Sequence, residues 1–161
     1  NKQVEATHWE KLASINTSIV RQLQILKDCS PTENEVDALS QATIEEWLEV
    51  GDVGKYLTQL HIQFQSSRKH LKAMGDAAGV PIEPNQQTAL IEETLTVPGV
   101  VAVLVPGAGG FDALACLYVN RESVRHAVGK RWANSGTSTV CPLSALAATS
   151  QVEGVRVEER S

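Results

Sequence analysis

Val97-Pro98-Gly99-Val100-Val101-Ala102-Val103-Leu104-Val105-Pro106-Gly107-Ala108-Gly109-Gly110-Phe111-Asp112-Ala113 contains the change of period in this chain. Residues 100–105 are short, apolar and β-branched, the pattern of a buried strand. Pro106 and the glycines break it. Residues 113–119 read as a second strand, antiparallel to the first if the break is a compact turn. Glycine accepts φ > 0 and lets other groups approach its backbone. Successive N–H groups in such a turn can form a nest for an anion, phosphate above all. A glycine-rich hairpin turn with no ligand is the equal alternative, because a lone glycine run is weak evidence.

Before this stretch the chain reads as helices. Thr7-x-x-Glu10 has the capping-box pattern, followed by one apolar face through Trp9, Leu12, Ala13, Ile19, Val20, Leu23 and Leu26. Ser30-Pro31-Thr32-Glu33 predicts a second start, with Val36, Leu39, Thr43, Trp47 and Val50 behind it and Gly51 as the stop. Asp52 can cap a long third helix closing near Gly79, because Pro81 cannot continue it. A fourth should run from Pro84 to before Pro98. After the hairpin, Asn120 can cap a helix from Arg121 to about Ala133, and residues 137–141 and 155–158 read as two more strands, with 143–154 a loop. The expected fold class is α+β: an antiparallel four-stranded sheet with helices packed on one face, plus an N-terminal helical segment. Residues 1–80 are mainly helical; residues 81–161 supply a helix, the glycine-loop hairpin, a helix and two strands.

Composition narrows the function. The 161 residues suit one domain. The formal charge is −5, and the excess of acid lies entirely before His61. That argues against a nucleic-acid partner, which would favour a basic face. No apolar run approaches the length of a transmembrane helix, and residues 2–10 are too polar for a signal peptide, so no membrane partner is expected. Cys29, Cys116 and Cys141 are an odd number without a C-x-x-C pair, read as quiet thiols in a reducing compartment. No metal site is expected from these residues. Rossmann, Walker, H-E-x-x-H and G-x-S-x-G patterns are all missing.

The quoted run resembles the third conserved motif of the GHMP kinases, and Pro106-Gly107-Ala108-Gly109-Gly110-Phe111-Asp112-Ala113 is most similar to their eukaryotic phosphomevalonate kinase branch. Met74-Gly75-Asp76-Ala77-Ala78-Gly79-Val80-Pro81-Ile82-Glu83-Pro84 and the later Gln87-Thr88 resemble the same branch. The likeness implies a ferredoxin-like C-terminal domain of a longer kinase, whose N-terminal ATP-loop domain is expected outside this chain. It implies transfer of the γ-phosphoryl of Mg-ATP to 5-phosphomevalonate, with the fragment inactive alone. Gly107, Ala108, Gly109, Gly110 and Asp112 would support the ATP-phosphate loop. Asp112 would orient the turn, or help to hold Mg²⁺ or substrate. Arg68 and Lys72, at i,i+4 on one helix face, would contact the substrate phosphate, or else form a solvated face. Glu83 would steady the following helix N-terminus. Trp9, Trp47, Trp132 and Phe111 are expected to pack. The compartment implied is the cytoplasm, with a peroxisome-like organelle as the alternative. Two other readings stay open: another GHMP kinase such as a mevalonate kinase, and a non-catalytic ferredoxin-like interaction module.

Overall fold

The computed structural model describes residues 2–135. The expected strands at 137–141 and 155–158, the 143–154 loop and Cys141 lie outside them. In chain order the elements are α1 (Lys2–Asp28), α2 (Glu33–Gln41), a 3-10 turn (Glu46–Glu49), α3 (Gly51–Ala78), α4 (Asn85–Leu95), β1 (Val100–Leu104), β2 (Ala115–Tyr118) and α5 (Glu122–Asn134). The described fold is α+β and mostly helical, with one two-stranded antiparallel sheet.

Several helix boundaries differ from the pattern reading. α1 runs straight through Thr7 and Glu10, so that pair is not a cap; an i,i+3 pair of these types also fits a helix interior. The second start lies two residues later than expected. Thr32 is the N-cap: Glu35 N–H donates to its Oγ1 at 3.3 Å, while Thr32 N–H donates to Glu35 Oε2 at 2.8 Å. Pro31 therefore precedes the cap. The helix expected to reach Gly51 ends at Gln41, and Trp47 sits in the separate 3-10 turn. Gly51 opens α3 rather than stopping α2. α3 closes at Gly79, which takes the left-handed conformation at φ 69°. Pro84 lies at the N-cap position, one residue before α4, and makes no side-chain cap. Arg121, not Asn120, is the residue before α5, and it makes no side-chain cap.

Helices meet the hairpin in two separate cores, where one covered face was expected. Ile19, Leu39, Trp47, Val53 and Leu60 pack with Val101 and Val119. Ile91, Val97, Val124 and Val128 pack with Val100 and Val103. The split follows from a bulge. Val100 pairs with Tyr118 and Ala102 with Leu117, which leaves Val101 as an extra residue in β1. One extra residue shifts the strand's alternation by one. Val100 and Val103 thus share a core, and Val101 enters the other. β1 is buried over Val100–Val103, consistent with its unbroken apolar run. The Val101 carbonyl is met by His61 Nδ1 of α3 at 2.7 Å, so the ring carries its proton on Nδ1. Trp47 is fully buried and donates from Nε1 to the Leu39 carbonyl at 2.9 Å. Trp132 is half-buried and donates to Thr94 Oγ1. Trp9 and Phe111, both expected to pack, are exposed.

Candidate functional site

The two sequence runs that carry the family likeness touch each other. After Gly79 the chain doubles back, and Val80 N–H donates to the Gly75 carbonyl at 2.9 Å. This return passes so near α3 that a Cβ on Gly75 would lie 2.5 Å from the Val80 carbonyl oxygen and 3.0 Å from Ile82 Cγ1. Ile82 is then approached from its other side by the glycine loop. A Cβ on Gly109 would lie 2.6 Å from both Ile82 Cα and its carbonyl oxygen, and Gly109 has φ +87°. Gly110 N–H donates to that same Ile82 carbonyl at 3.0 Å. Only residues without a side chain fit at both places.

The next residue, Glu83, anchors the return to α3 and α4. Its carboxylate is buried and takes a two-pronged contact from Arg68: Nε to Oε2 at 2.7 Å and Nη2 to Oε1 at 3.0 Å. Arg68 also donates to Glu92 Oε1 at 2.6 Å and to Gln65 Oε1 at 2.8 Å. Burial opposes the charge on Arg68, but its hydrogen bonds to Glu83 and Glu92 outweigh it and hold the guanidinium above its ordinary pKa. Lys72 Nζ donates to the Glu83 carbonyl at 2.6 Å, to Thr88 Oγ1 at 3.2 Å and to Asn85 Oδ1 at 3.4 Å. Thr88 Oγ1 in turn donates to Glu83 Oε1 at 2.9 Å.

This network corrects the solvated-face alternative for Arg68 and Lys72, because both side chains are engaged by protein oxygens. All three ammonium protons of Lys72 and all but one N–H of Arg68 meet protein oxygens. The carboxylate partner of Arg68 lies fifteen residues away, beyond any helical spacing. Glu83 does more than steady a helix N-terminus: it is the centre of the network.

The loop itself is held from three places. Gly109 N–H donates to the Pro106 carbonyl at 3.3 Å, Gly110 N–H to Ile82, and Gln87 Nε2 of α4 donates to the Phe111 carbonyl at 2.9 Å. Two of the glycine N–H groups expected to face phosphate are therefore engaged. The N–H groups of Gly107 and Ala108 bond to no other described residue, and both residues are exposed. Asp112 is also exposed and has no hydrogen-bond or ion-pair partner among the described residues, so the turn-orienting bonds expected of it are not seen. No group of three or more His, Cys, Asp or Glu among the described residues is arranged to hold a metal. Asp112 offers one free carboxylate, and Glu83 is already paired, so these residues do not by themselves fit Mg²⁺.

Beside the loop lies a cleft of about 340 Å³ between α1, α3 and the end of β1. Val20, Phe64 and Leu71 line it, Pro106 and Gly107 form one rim, and Arg68 and Glu83 reach its wall. Ile82, Gln87 and Thr88 were not read as site residues from sequence. The sequence signal for them is the family likeness of the 74–84 run, which contains Ile82, and of Gln87-Thr88. Cys116 is half-buried, and desolvation pushes its thiol up to about 12. Alkylation by iodoacetamide at about pH 8 should leave Cys116 unmodified in the folded protein and label it in denaturant, read by peptide mass spectrometry. Rapid labelling of the native protein would contradict this burial.

The proteins to which the chain is similar are kinases. Among them are phosphomevalonate kinases of Gibberella zeae, 40% identical over 115 residues (69% of this chain, 24% of that protein), and Candida albicans, 30% identical over 120 residues (71% and 26%). A third, from Arabidopsis thaliana and named peroxisomal, is 37% identical over 98 residues (57% and 17%). The chain thus spans about a quarter or less of the length of these curated relatives. No family model matches it, and no solved structure matches it significantly. No helix among the described residues is long and apolar enough to cross a membrane.

Proposed function

We propose that this chain is the C-terminal part of a phosphomevalonate kinase. The complete protein would transfer the γ-phosphoryl of ATP, supplied as its magnesium complex, to 5-phosphomevalonate, giving 5-diphosphomevalonate and ADP. The phosphorylation site would be completed by an N-terminal domain carrying the main ATP-phosphate loop. The complete fold would be a ferredoxin-like four-stranded antiparallel sheet with helices on one face.

The observation that carries this reading is the contact at Ile82. It joins the residue 74–84 run to the glycine loop, the two stretches most like the phosphomevalonate kinase branch. Phosphoryl transfer depends mainly on positioning and charge stabilisation. A glycine loop held by Ile82 and Gln87, with the N–H groups of Gly107 and Ala108 open, suits a supporting role at the phosphates. Asp112 would face the same region. Arg68, Lys72 and Glu83 form the scaffold behind the loop.

The test is an ADP-release assay on the complete protein that carries this chain, with 5-phosphomevalonate and mevalonate as separate acceptors. Turnover with 5-phosphomevalonate alone is expected. Turnover with mevalonate alone would assign a different kinase of the superfamily, and none with either would leave a non-catalytic module.

A further inference from the structure

We infer that Gln87 is a positioning residue for phosphoryl transfer, acting through the Phe111 carbonyl to set the conformation of the glycine loop. The inference rests on the kinase reading above and names a residue of that same site.

Gln87 lies on α4, outside the loop, and is 7% exposed. Its neighbour across the contact is very different: Phe111 is 56% exposed. A buried amide is thus aimed outward at the backbone of an exposed residue. The direction of the bond is chemically forced. Phe111 offers a carbonyl, which can only accept, so the Gln87 amide must turn its NH₂ toward it.

The position of this bond gives it leverage. On the N-terminal side the loop is held at Gly109 and Gly110 by Pro106 and Ile82. Beyond Gly110 no backbone bond joins residues 111–114 to another described residue. Leu114 packs against the second core, and Gln87 is the hydrogen-bonded hold on residues 111–113 among the described residues. Without it, residues 111–113, between the Gly110 clamp and Leu114, would be free to swing, carrying Asp112 with them. Misplacing a catalytic group by about 1 Å can cost about 100-fold in rate. Stability should hardly notice, because the Phe111 carbonyl lies in an exposed loop and can turn to water.

The experiment uses the complete protein with two variants. Gln87→Leu keeps the bulk and removes the donor. Turnover, kcat, is expected to fall at least about 10-fold, with KM for 5-phosphomevalonate and the thermal midpoint near their wild-type values. Gln87→Glu supplies an acceptor when ionised and a donor when protonated. Its kcat relative to wild type is therefore expected to rise as pH falls and the introduced carboxyl gains its proton. A merely structural role would not produce that relative pH profile. Gln87→Leu with kcat within about twofold of wild type, or a Gln87→Glu to wild-type ratio flat across pH, would overturn the inference. If Gln87→Leu does not fold, the Gln87→Glu profile decides alone. A wild-type protein inactive with ATP and 5-phosphomevalonate would instead overturn the kinase reading, and this inference with it.

Discussion

Glu83→Gln is expected to destabilise the protein by about 3 kcal/mol, measured as a shift in the urea midpoint of the complete protein. Arg68 and Glu83 have side-chain exposures of 10% and 4%. Removing the carboxylate charge leaves a buried guanidinium facing neutral amides, with only Glu92 as counter-ion. Breaking a buried pair from one side typically costs about 3–5 kcal/mol, because the remaining charge stays desolvated. Glu92 keeps the figure at the lower end. The comparison is built into the same arginine. Glu92→Gln removes a carboxylate that is 61% exposed, and should shift stability by less than about 1 kcal/mol. Equal effects of the two substitutions would mean that the buried pair is not the anchor described above. A leucine pair replacing both Arg68 and Glu83 should recover part of the loss, yet it would also remove Glu83 Oε1, which accepts from Thr88.

Gly109→Ala should be far more damaging than Gly107→Ala, although both glycines have positive φ. The conformational strain is similar, about 1 kcal/mol at each position. The surroundings are not. A Cβ at Gly107 would meet nothing within 4 Å, whereas at Gly109 it would meet the Ile82 backbone at 2.6 Å. Backbone cannot rotate aside as a long side chain can. The loop must lift from Ile82 and lose the Gly110 N–H bond to its carbonyl. In the complete kinase, Gly109→Ala is expected to reduce kcat about 100-fold, and Gly107→Ala less than about 10-fold. Matching losses would show that left-handed strain, not the approach to Ile82, controls the loop.

Much of the architecture was legible because each signal was local. The β-branched run announces β1, Gly79 and Pro84 bracket the return between α3 and α4, and the glycines announce the turn. Errors arose where one pattern serves two structures. Thr7-x-x-Glu10 fits a cap and a helix interior alike. Thr32-x-x-Glu35 competes with Ser30-x-x-Glu33 two residues earlier, and only the observed bonds decide between them. The site was harder to read. Gly107 to Asp112 were singled out from sequence, but their support comes from Ile82, Glu83 and Gln87, and Gln87 contacts a carbonyl 24 residues away. Charge patterning failed for the same reason. Arg68 and Lys72 look like an ordinary solvated helix face until the chain folds back and puts Glu83 between them.

The bulge in β1 bears on how the protein folds. Val101 completes a core otherwise built from α1, α2, α3 and the 3-10 turn, plus Val119 from beyond the hairpin. Its carbonyl meets His61 across 40 residues of sequence. The helical first half therefore cannot close its interior until the hairpin arrives. Joining such distant segments requires loop-closure entropy to be overcome before the contact is gained. The local helices can form early, but their consolidation waits for Val101. The two halves, so different in period and charge, should consequently unfold together rather than melt as independent pieces.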